Sequence, residues 1–435
     1  MKDTSRSQII STKLHKIAEQ AKEYPETVFT TLVHHIDVDW LREAYHQTNK
    51  SSAAGIDGVT GKEYEANLEE NLEILHKRLK EGKYKAPPVV RVWTEEEDKR
   101  RPIGKPTFED KIVQRAVVMI LEAIYEQDFY DYSHGYRKGH SPHQALKQVW
   151  DKCREINVNW IIDADVSGFF DAIPHNHLRE ILKQRVNDGG ILRLIGKWLN
   201  AGVMEEEILA YAETGSPQGG VISPMLANIY LHTVLDEWYE EVVKPRLKGR
   251  SFLIRFADDF IIGCELESDA RRVMEVLPKR FGRYGLSIHP QKTKLVKFGK
   301  PPKKGEQNPK NGTIDFLGFT HYWGKTRQGY WIIKRKTIQK KKLRSIKRLW
   351  KWCKENRHLP LEEQYQKLSQ KLRGHYQYYG IINNYRQMEV VYYQAIKGWK
   401  YWLNRRSRER DMKWEKFEKV LKDYLLPKPR IIHKL

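Results

Sequence analysis

The sequence predicts an α+β protein: a small sheet with helices packed on one face, followed by an all-helical segment that carries the basic excess of the chain. Three observations predict it. Between Asp163 and Phe319 the order reads strand, helix, helix, hairpin, helix, strand, which suits a small helix-covered sheet. Beyond Lys334 the apolar residues recur only at helical spacing. Residues 321–435 hold 31 Lys and Arg against 9 Asp and Glu, whereas the 320 residues before them hold 47 of each, so the net charge of +22 resides in the last quarter.

The elements follow in order. The first fifty residues alternate helical patterns with polar breaks, and residues 51–61, SSAAGIDGVTG, read as a loop. Leu68, Leu72, Leu75 and Leu79 then mark one helix face. PPVVRVW is a short strand. FEDKIVQRAVVMILEAIYEQDF is a helix with Ile112, Ala116, Met119, Ile120 and Ala123 near one stripe. Residues 158–166, VNWIIDADV, are a strand, and HNHLREILKQRV is a helix. SPQGG is a turn that opens a long helix; SFLIRFADDFIIGCE is a hairpin; ESDARRVMEVLPKRFGRYG is a helix; IDFLGFTHYW is a strand. After the loop at 300–312, Ile338, Leu343, Ile346 and Leu349 line a first basic helix. Leu361, Tyr365, Leu368, Leu372 and Tyr376 line a second; Val391, Ile396, Trp399, Trp402 and Leu403 line a third.

A length of 435 residues exceeds what one core usually serves, so two or three domains are expected. No apolar run nears the ~20 residues of a membrane span. MKDTSRSQIISTKLHK has no apolar leader segment. A cytoplasmic protein without membrane contact is expected. Cys153, Cys264 and Cys353 form no CxxC pair, so neither a zinc finger nor a disulfide framework is indicated, and small buried thiols are expected. The localised basic excess points to a polyanion, since each phosphate neutralised releases counterions.

The hairpin poses the chemical question. Asp258 and Asp259 sit adjacent between apolar runs. Buried carboxylates are costly unless paired, and two neighbours repel each other. A divalent cation resolves the conflict, and hard oxygen ligands suit Mg²⁺. WIIDADVSGFF offers the further carboxylate: Asp163 and Asp165 alternate along a strand, so both fit one face. Two Mg²⁺ held by three acids would serve phosphoryl transfer.

Those residues carry a resemblance. FADDF resembles the catalytic motif of reverse transcriptases, with Phe256 where Tyr is usual. DADVSGFFDAIPH, GSPQGGVISPMLANIYL and GLSIHPQKTKLVKF resemble the blocks around it in group II intron-encoded reverse transcriptases, or maturases. RRPIGKPTFEDKIVQRAV and HGYRKGHSPHQAL resemble fingers blocks, IDFLGF the last palm block, and LRGHYQYYGI and WLNRRSRERDMKWEKF the thumb, or maturase, domain. The resemblance spans about residues 50–430. It implies a right-hand polymerase with a small antiparallel palm sheet and a helical basic thumb. The divisions would be 1–155, N-terminal extension and fingers; 156–322, palm, with fingers parts around 205–235; 323–404, thumb; and 405–435, a short basic C-terminal region.

By that resemblance Asp165, Asp258 and Asp259, with the Val166 carbonyl, hold two Mg²⁺ (Mn²⁺ as a substitute), and Asp163 does not. Phe170 closes the nucleotide pocket below the ribose, where its ring excludes a 2′-OH. Gln218 and Gly219 line nucleotide and template, and Arg101 meets the triphosphate. The usual partner lysine falls within TEEED, which leaves Lys99 as its substitute. Lys292 and Lys294 match a primer-contacting block and Arg137 a template-side residue. The implied protein is an RNA-directed DNA polymerase that binds RNA template, DNA primer and target, dNTPs and group II intron RNA, assisting splicing and retromobility as an intracellular ribonucleoprotein. No zinc-stapled nuclease module is expected. Two other readings stand beside it: a reverse transcriptase recruited to host defence or repair, and an RNA-binding splicing factor without polymerase activity. The intact three-acid set speaks against the last.

Overall fold

The computed structural model describes residues 2–96, 99–205, 208–210, 214–215, 219–301, 311–406 and 412–434. The chain opens with α1 (Lys2–Glu23), α2 (Val38–Gln47), α3 (Gly61–Ala66) and α4 (Leu68–Lys80). Asp37 caps α2 and a Thr60–Glu63 capping box starts α3, as their sequences dictate. The hairpin β1 (Val89–Glu96) and β2 (Lys99–Lys105) leads into α5 (Phe108–Tyr125), capped by Thr107 and buried on most of its surface. Then come α6 (Pro142–Glu155), β3 (Trp160–Ala164), α7 (Phe169–Ala172), α8 (His175–Arg185), α9 (Gly189–Leu199), β4 (Val203–Glu205) and β5 (Ile208–Ala210). α10 (Ser223–Leu231) continues as a π-helix over His232–Val243. β6 (Ser251–Phe256), β7 (Asp259–Cys264), α11 (Glu267–Arg283) and β8 (Lys294–Lys297) follow.

These strands form two four-stranded sheets. The central one runs β6-β7-β3-β8 and is antiparallel throughout. The other runs β2-β1-β4-β5, with one parallel pairing, β1 on β4. Helices were expected on one face of the central sheet; both faces are covered. Ile162, Leu253, Phe260 and Ile262 join Ala270, Val273, Leu277 and Phe281 of α11 in the larger core. Ile161, Phe252, Ile254 and Ile261 face the other way, onto Leu146, Val149 and Cys153 of α6. The reason is legible afterwards: Phe252–Ile254 of β6 and Phe260–Ile262 of β7 are unbroken apolar runs, and a strand with one solvated face would alternate.

IDFLGFTHYW is a hairpin rather than one strand. β9 (Ile314–Phe316) and β10 (Phe319–Lys325) turn back at Leu317–Gly318, and β11 (Trp331–Thr337) completes a three-stranded sheet. A boundary at 322/323 therefore falls inside β10. The remainder is helical: α12 (Gln339–Glu355), α13 (Leu361–Tyr379), α14 (Tyr385–Leu403) and α15 (Trp414–Asp423). Leu349, Leu368, Leu372, Val391, Trp399 and Leu403 share their core as expected, but Leu343 is 47% exposed. The basic C-terminal region after 404 packs on these helices. Phe417 and Leu426 are buried in the same core, and the Ile432 N–H donates to the Gly380 carbonyl at 2.7 Å. All three cysteines are free and buried. Among the described residues no helix is long and apolar enough to cross a membrane.

His321 on β10 is fully buried, and neither ring nitrogen has a hydrogen-bond partner among the described residues. Burial, then Arg335, pushes its pKa down to about 3. The folded ring stays neutral while the unfolded one takes a proton near pH 6.5. Stability from this site is therefore complete above that pH and lost as pH falls below it. His321→Phe is expected to remove about 2 kcal/mol of the stability lost between pH 7 and pH 5. Urea denaturation of both proteins at the two pH values checks this; equal losses would sink it.

Candidate active site

Phe256 pairs with Asp259 to close the β6–β7 hairpin, which leaves Ala257 and Asp258 as its two-residue turn. Ala257 has φ +57°, a left-handed conformation where glycine is more usual. β3 lies beside β7, with Asp163 opposite Ile261 and Ala164 opposite Phe260. Side chains alternate along a strand, so Asp163 shares a face of the sheet with Ile261 and Asp259. Asp165 follows just beyond the end of β3.

The electrostatics follow from this crowding. Burial, then the charges of Asp163, Asp258 and Asp165, pushes the Asp259 carboxyl up to about 8; an N–H from Leu317 opposes the rise. Burial, then Asp315, pushes Asp163 up to about 7, with Lys294 opposing. Lys294 is exposed and stands opposite Asp163 in the β3–β8 register. Asp165 is held by the segment before β8. Its carbonyl accepts from His289 N–H at 2.8 Å, its N–H donates to Thr293 Oγ1 at 3.3 Å, and Lys292 Nζ reaches its Oδ2 at 2.6 Å. Val166 is buried and bridges Ile288.

Phe170 lies half-buried in α7, edge-on to Phe169 with ring centroids 5.4 Å apart. Gly219 has φ +109°, and a Cβ there would stand 2.3 Å from the Gly104 carbonyl oxygen of β2. Only glycine lets this loop lie against the β1–β2 hairpin.

Among the described residues no three Asp, Glu, His or Cys side chains converge closely enough to hold a metal ion. The donor set nevertheless fits a divalent cation. It consists of hard carboxylate oxygens; burial, then the neighbouring carboxylates, holds Asp259 protonated near neutral pH, and an ammonium already sits on Asp165.

The model of the reverse transcriptase (RNA-dependent DNA polymerase) family matches residues 91–321, more than half of the chain and every carboxylate just described. The chain belongs to the reverse transcriptase family. It is 33% identical over 330 residues to protein YkfC of Escherichia coli K12, covering 66% of this chain and 84% of that protein. It is 32% identical over 300 residues to the group II intron-encoded protein LtrA of Lactococcus lactis subsp. cremoris, covering 66% of this chain and 49% of LtrA. The chain thus spans about half the length of LtrA. Nuclear intron maturase 4 of Arabidopsis thaliana is 27% identical over 168 residues, covering 38% of this chain and 20% of that protein.

The remaining residues named from the sequence have these surroundings. Arg137, assigned to the template, is buried. Its guanidinium donates to Glu126 Oε2 at 2.9 Å and to the carbonyls of Tyr130 and Ser133 at 2.7 and 2.6 Å. It braces its own loop. Lys292, assigned to the primer, is engaged with Asp165. Gln218 and the side chains of Lys99 and Arg101 lie outside the described residues. Two participants went unforeseen, both in IDFLGF. Asp315 loads Asp163 with negative charge. The Leu317–Gly318 turn, at φ +47° and +82°, offers Asp259 a backbone N–H, and the Leu317 carbonyl accepts from Tyr378 Oη of α13 at 2.9 Å. The one available signal was the Gly inside an apolar strand pattern, which marks a bend.

Proposed function

We propose that the chain is the reverse transcriptase of a group II intron: it extends a primer 3′-OH with dNTPs on an RNA template and binds intron RNA to assist splicing and retromobility. The carboxylate set at the β6–β7 turn and the end of β3 carries the polymerase half of this reading. The intron half rests on the names of the relatives, since LtrA is intron-encoded and the Arabidopsis protein is an intron maturase. In right-hand terms the central sheet is the palm and the β1–β2 hairpin belongs to the fingers. The palm extends through β11, and α12–α15 together form the thumb.

Asp165, Asp258 and Asp259, with the Val166 carbonyl, would hold two Mg²⁺. When bound, these ions lower the pKa of the primer hydroxyl and neutralise charge on the triphosphate. The chain's own groups orient the reactants. Arg101, with Lys99 beside it on β2, meets the triphosphate; Gln218 and Gly219 line the base pair being formed; Lys294 contacts the primer backbone; Phe170 lies below the ribose. Primer extension on an RNA template with dNTPs, and splicing of group II intron RNA at low Mg²⁺, test the two halves separately. Absence of extension on every primed template would leave the RNA-binding reading.

Phe170→Ala is expected to raise rNTP relative to dNTP incorporation by ~10²-fold, because relief of a steric clash is worth a few kcal/mol of discrimination. Competition between the two sugars in a single-nucleotide assay measures it. Unchanged selectivity would reduce Phe170 to a packing residue.

A further inference from the structure

Arg255 is the residue of β6 that an apolar strand should not contain, and it is fully buried. It stands two positions before Ala257, on the face of the sheet opposite Asp259. A buried guanidinium persists only where its donors are matched by acceptors. Here they are matched in three directions. Nε donates to Asp236 Oδ1 at 2.9 Å and Nη2 to Asp236 Oδ2 at 2.5 Å. Nη1 donates to Asn228 Oδ1 at 3.0 Å and to the Ala257 carbonyl at 3.1 Å. Asp236 and Asn228 are themselves fully or almost fully buried.

These hydrogen bonds close a ring around the turn that carries the acids. Asn228 passes the connection on, donating from Nδ2 to the Gly135 carbonyl at 2.7 Å. Gly135 lies directly on the turn, and a Cβ there would stand 2.2 Å from Ala257 N. Backbone bonds on either side fix the register: Arg255 N–H donates to the Tyr132 carbonyl and His134 N–H to the Arg255 carbonyl, both at 2.9 Å. Asp236 belongs to the π-helix that follows α10, a rare geometry concentrated at functional sites.

We propose that Arg255 is a positioning residue for the polymerase reaction, holding Ala257 in its left-handed conformation so that Asp258 and Asp259 project correctly from the turn. An alanine at positive φ is strained and persists only where its surroundings over-determine it. The bond from Nη1 to the Ala257 carbonyl supplies that constraint from one side and Gly135 from the other. Arg255 touches no substrate; it acts through the Ala257 peptide. The inference rests on the reading of Asp258 and Asp259 as catalytic carboxylates.

The test is Arg255→Lys, which keeps a charge for Asp236 but has one nitrogen and cannot also reach Asn228 and Ala257. Per active enzyme, kcat for dNTP addition is expected to fall about 10–100-fold, the scale of ångström-level misplacement of catalytic groups. KM for dNTP should stay within about twofold, and the Mg²⁺ concentration giving half-maximal rate should rise. Adding Ala257→Gly should restore at least about fivefold of the lost kcat, since glycine takes positive φ without support. Asn228→Ala, which leaves the Arg255–Asp236 pair intact, should show the same split between kcat and KM and serves if Arg255→Lys does not fold. Wild-type kcat in these variants would overturn the proposal. So would a loss confined to thermal midpoint and active fraction, or one that Ala257→Gly leaves untouched. Extension surviving in both Asp258→Ala and Asp259→Ala would instead strike the reading on which the proposal rests.

Discussion

Asp258→Ala and Asp259→Ala are each expected to abolish dNTP incorporation on a primed RNA template, and Asp165→Ala to do the same. In the proposed reading each change removes a hard oxygen ligand from a set with none to spare. A loss of ~4 kcal/mol or more of transition-state stabilisation corresponds to at least ~10³-fold in rate. Unfolding is not the competing explanation. Asp259 sits among like charges and is opposed by burial, so Asp259→Ala should leave the thermal midpoint in metal-free buffer unchanged or higher. Asp163→Ala is the internal control. It shares the face of Asp259 and adds to its charge, yet it is assigned no metal, so much of the activity should survive. Single-turnover primer extension, with circular dichroism on each variant, makes the comparison. An Asp163→Ala protein that is folded and as inactive as the other three would show the assignment within DAD to be wrong.

The second large effect belongs to α12. This helix carries eight Lys and Arg and no acid before Glu355. Its basic residues are not equivalent. Lys342 donates to Gln387 Oε1 of α14 at 2.8 Å, so it joins two helices, while Lys340, Lys347 and Arg348 are exposed. Reversing those three charges is expected to weaken binding to RNA and to primer–template across sequences. The salt dependence of log K should flatten by up to ~0.9 for each duplex phosphate that is no longer neutralised. Affinity for a polyanion sums many such pairings, whereas the carboxylates act by local geometry. The double variant Asp258→Ala with Asp259→Ala should therefore bind intron RNA as the wild type does and still promote its splicing at low Mg²⁺. Filter binding at several salt concentrations compares the three proteins. If the doubly substituted carboxylate variant loses affinity as severely as the α12 variant, the proposed catalysis and RNA binding do not reside on separate surfaces.

The hairpin was legible because its composition is contradictory: two acids inside a run that otherwise demands burial on both faces. The strand bearing Asp163, with Asp165 just beyond its end, was legible for the same reason. The helices of the last quarter announced themselves by period. What the sequence hid was relational. Arg137 reads as one more surface charge until Glu126, eleven residues earlier, is brought against it by the fold. A solitary Lys292 carries no mark of Asp165, which lies 127 positions away. Leu317 gives no hint of a left-handed backbone, since leucine rarely adopts one. Residues after 404 look like a basic tail because Phe417 is a single aromatic among charges, and its burial depends on helices far earlier in the chain.

The Leu317–Gly318 turn has a consequence for recombination between members of the family. The Leu317 N–H faces the Asp259 carboxylate and the Leu317 carbonyl takes the Tyr378 hydroxyl from α13, so one residue is tied both to the carboxylate set and to the helical region. A chimera that crosses over between β11 and α12 grafts a foreign α13 onto this turn. Such hybrids should keep the geometry of this turn, and with it the proposed polymerase activity, only where the incoming helix brings a tyrosine at the place of Tyr378, so the safe crossover unit runs from β9 to the end of α13.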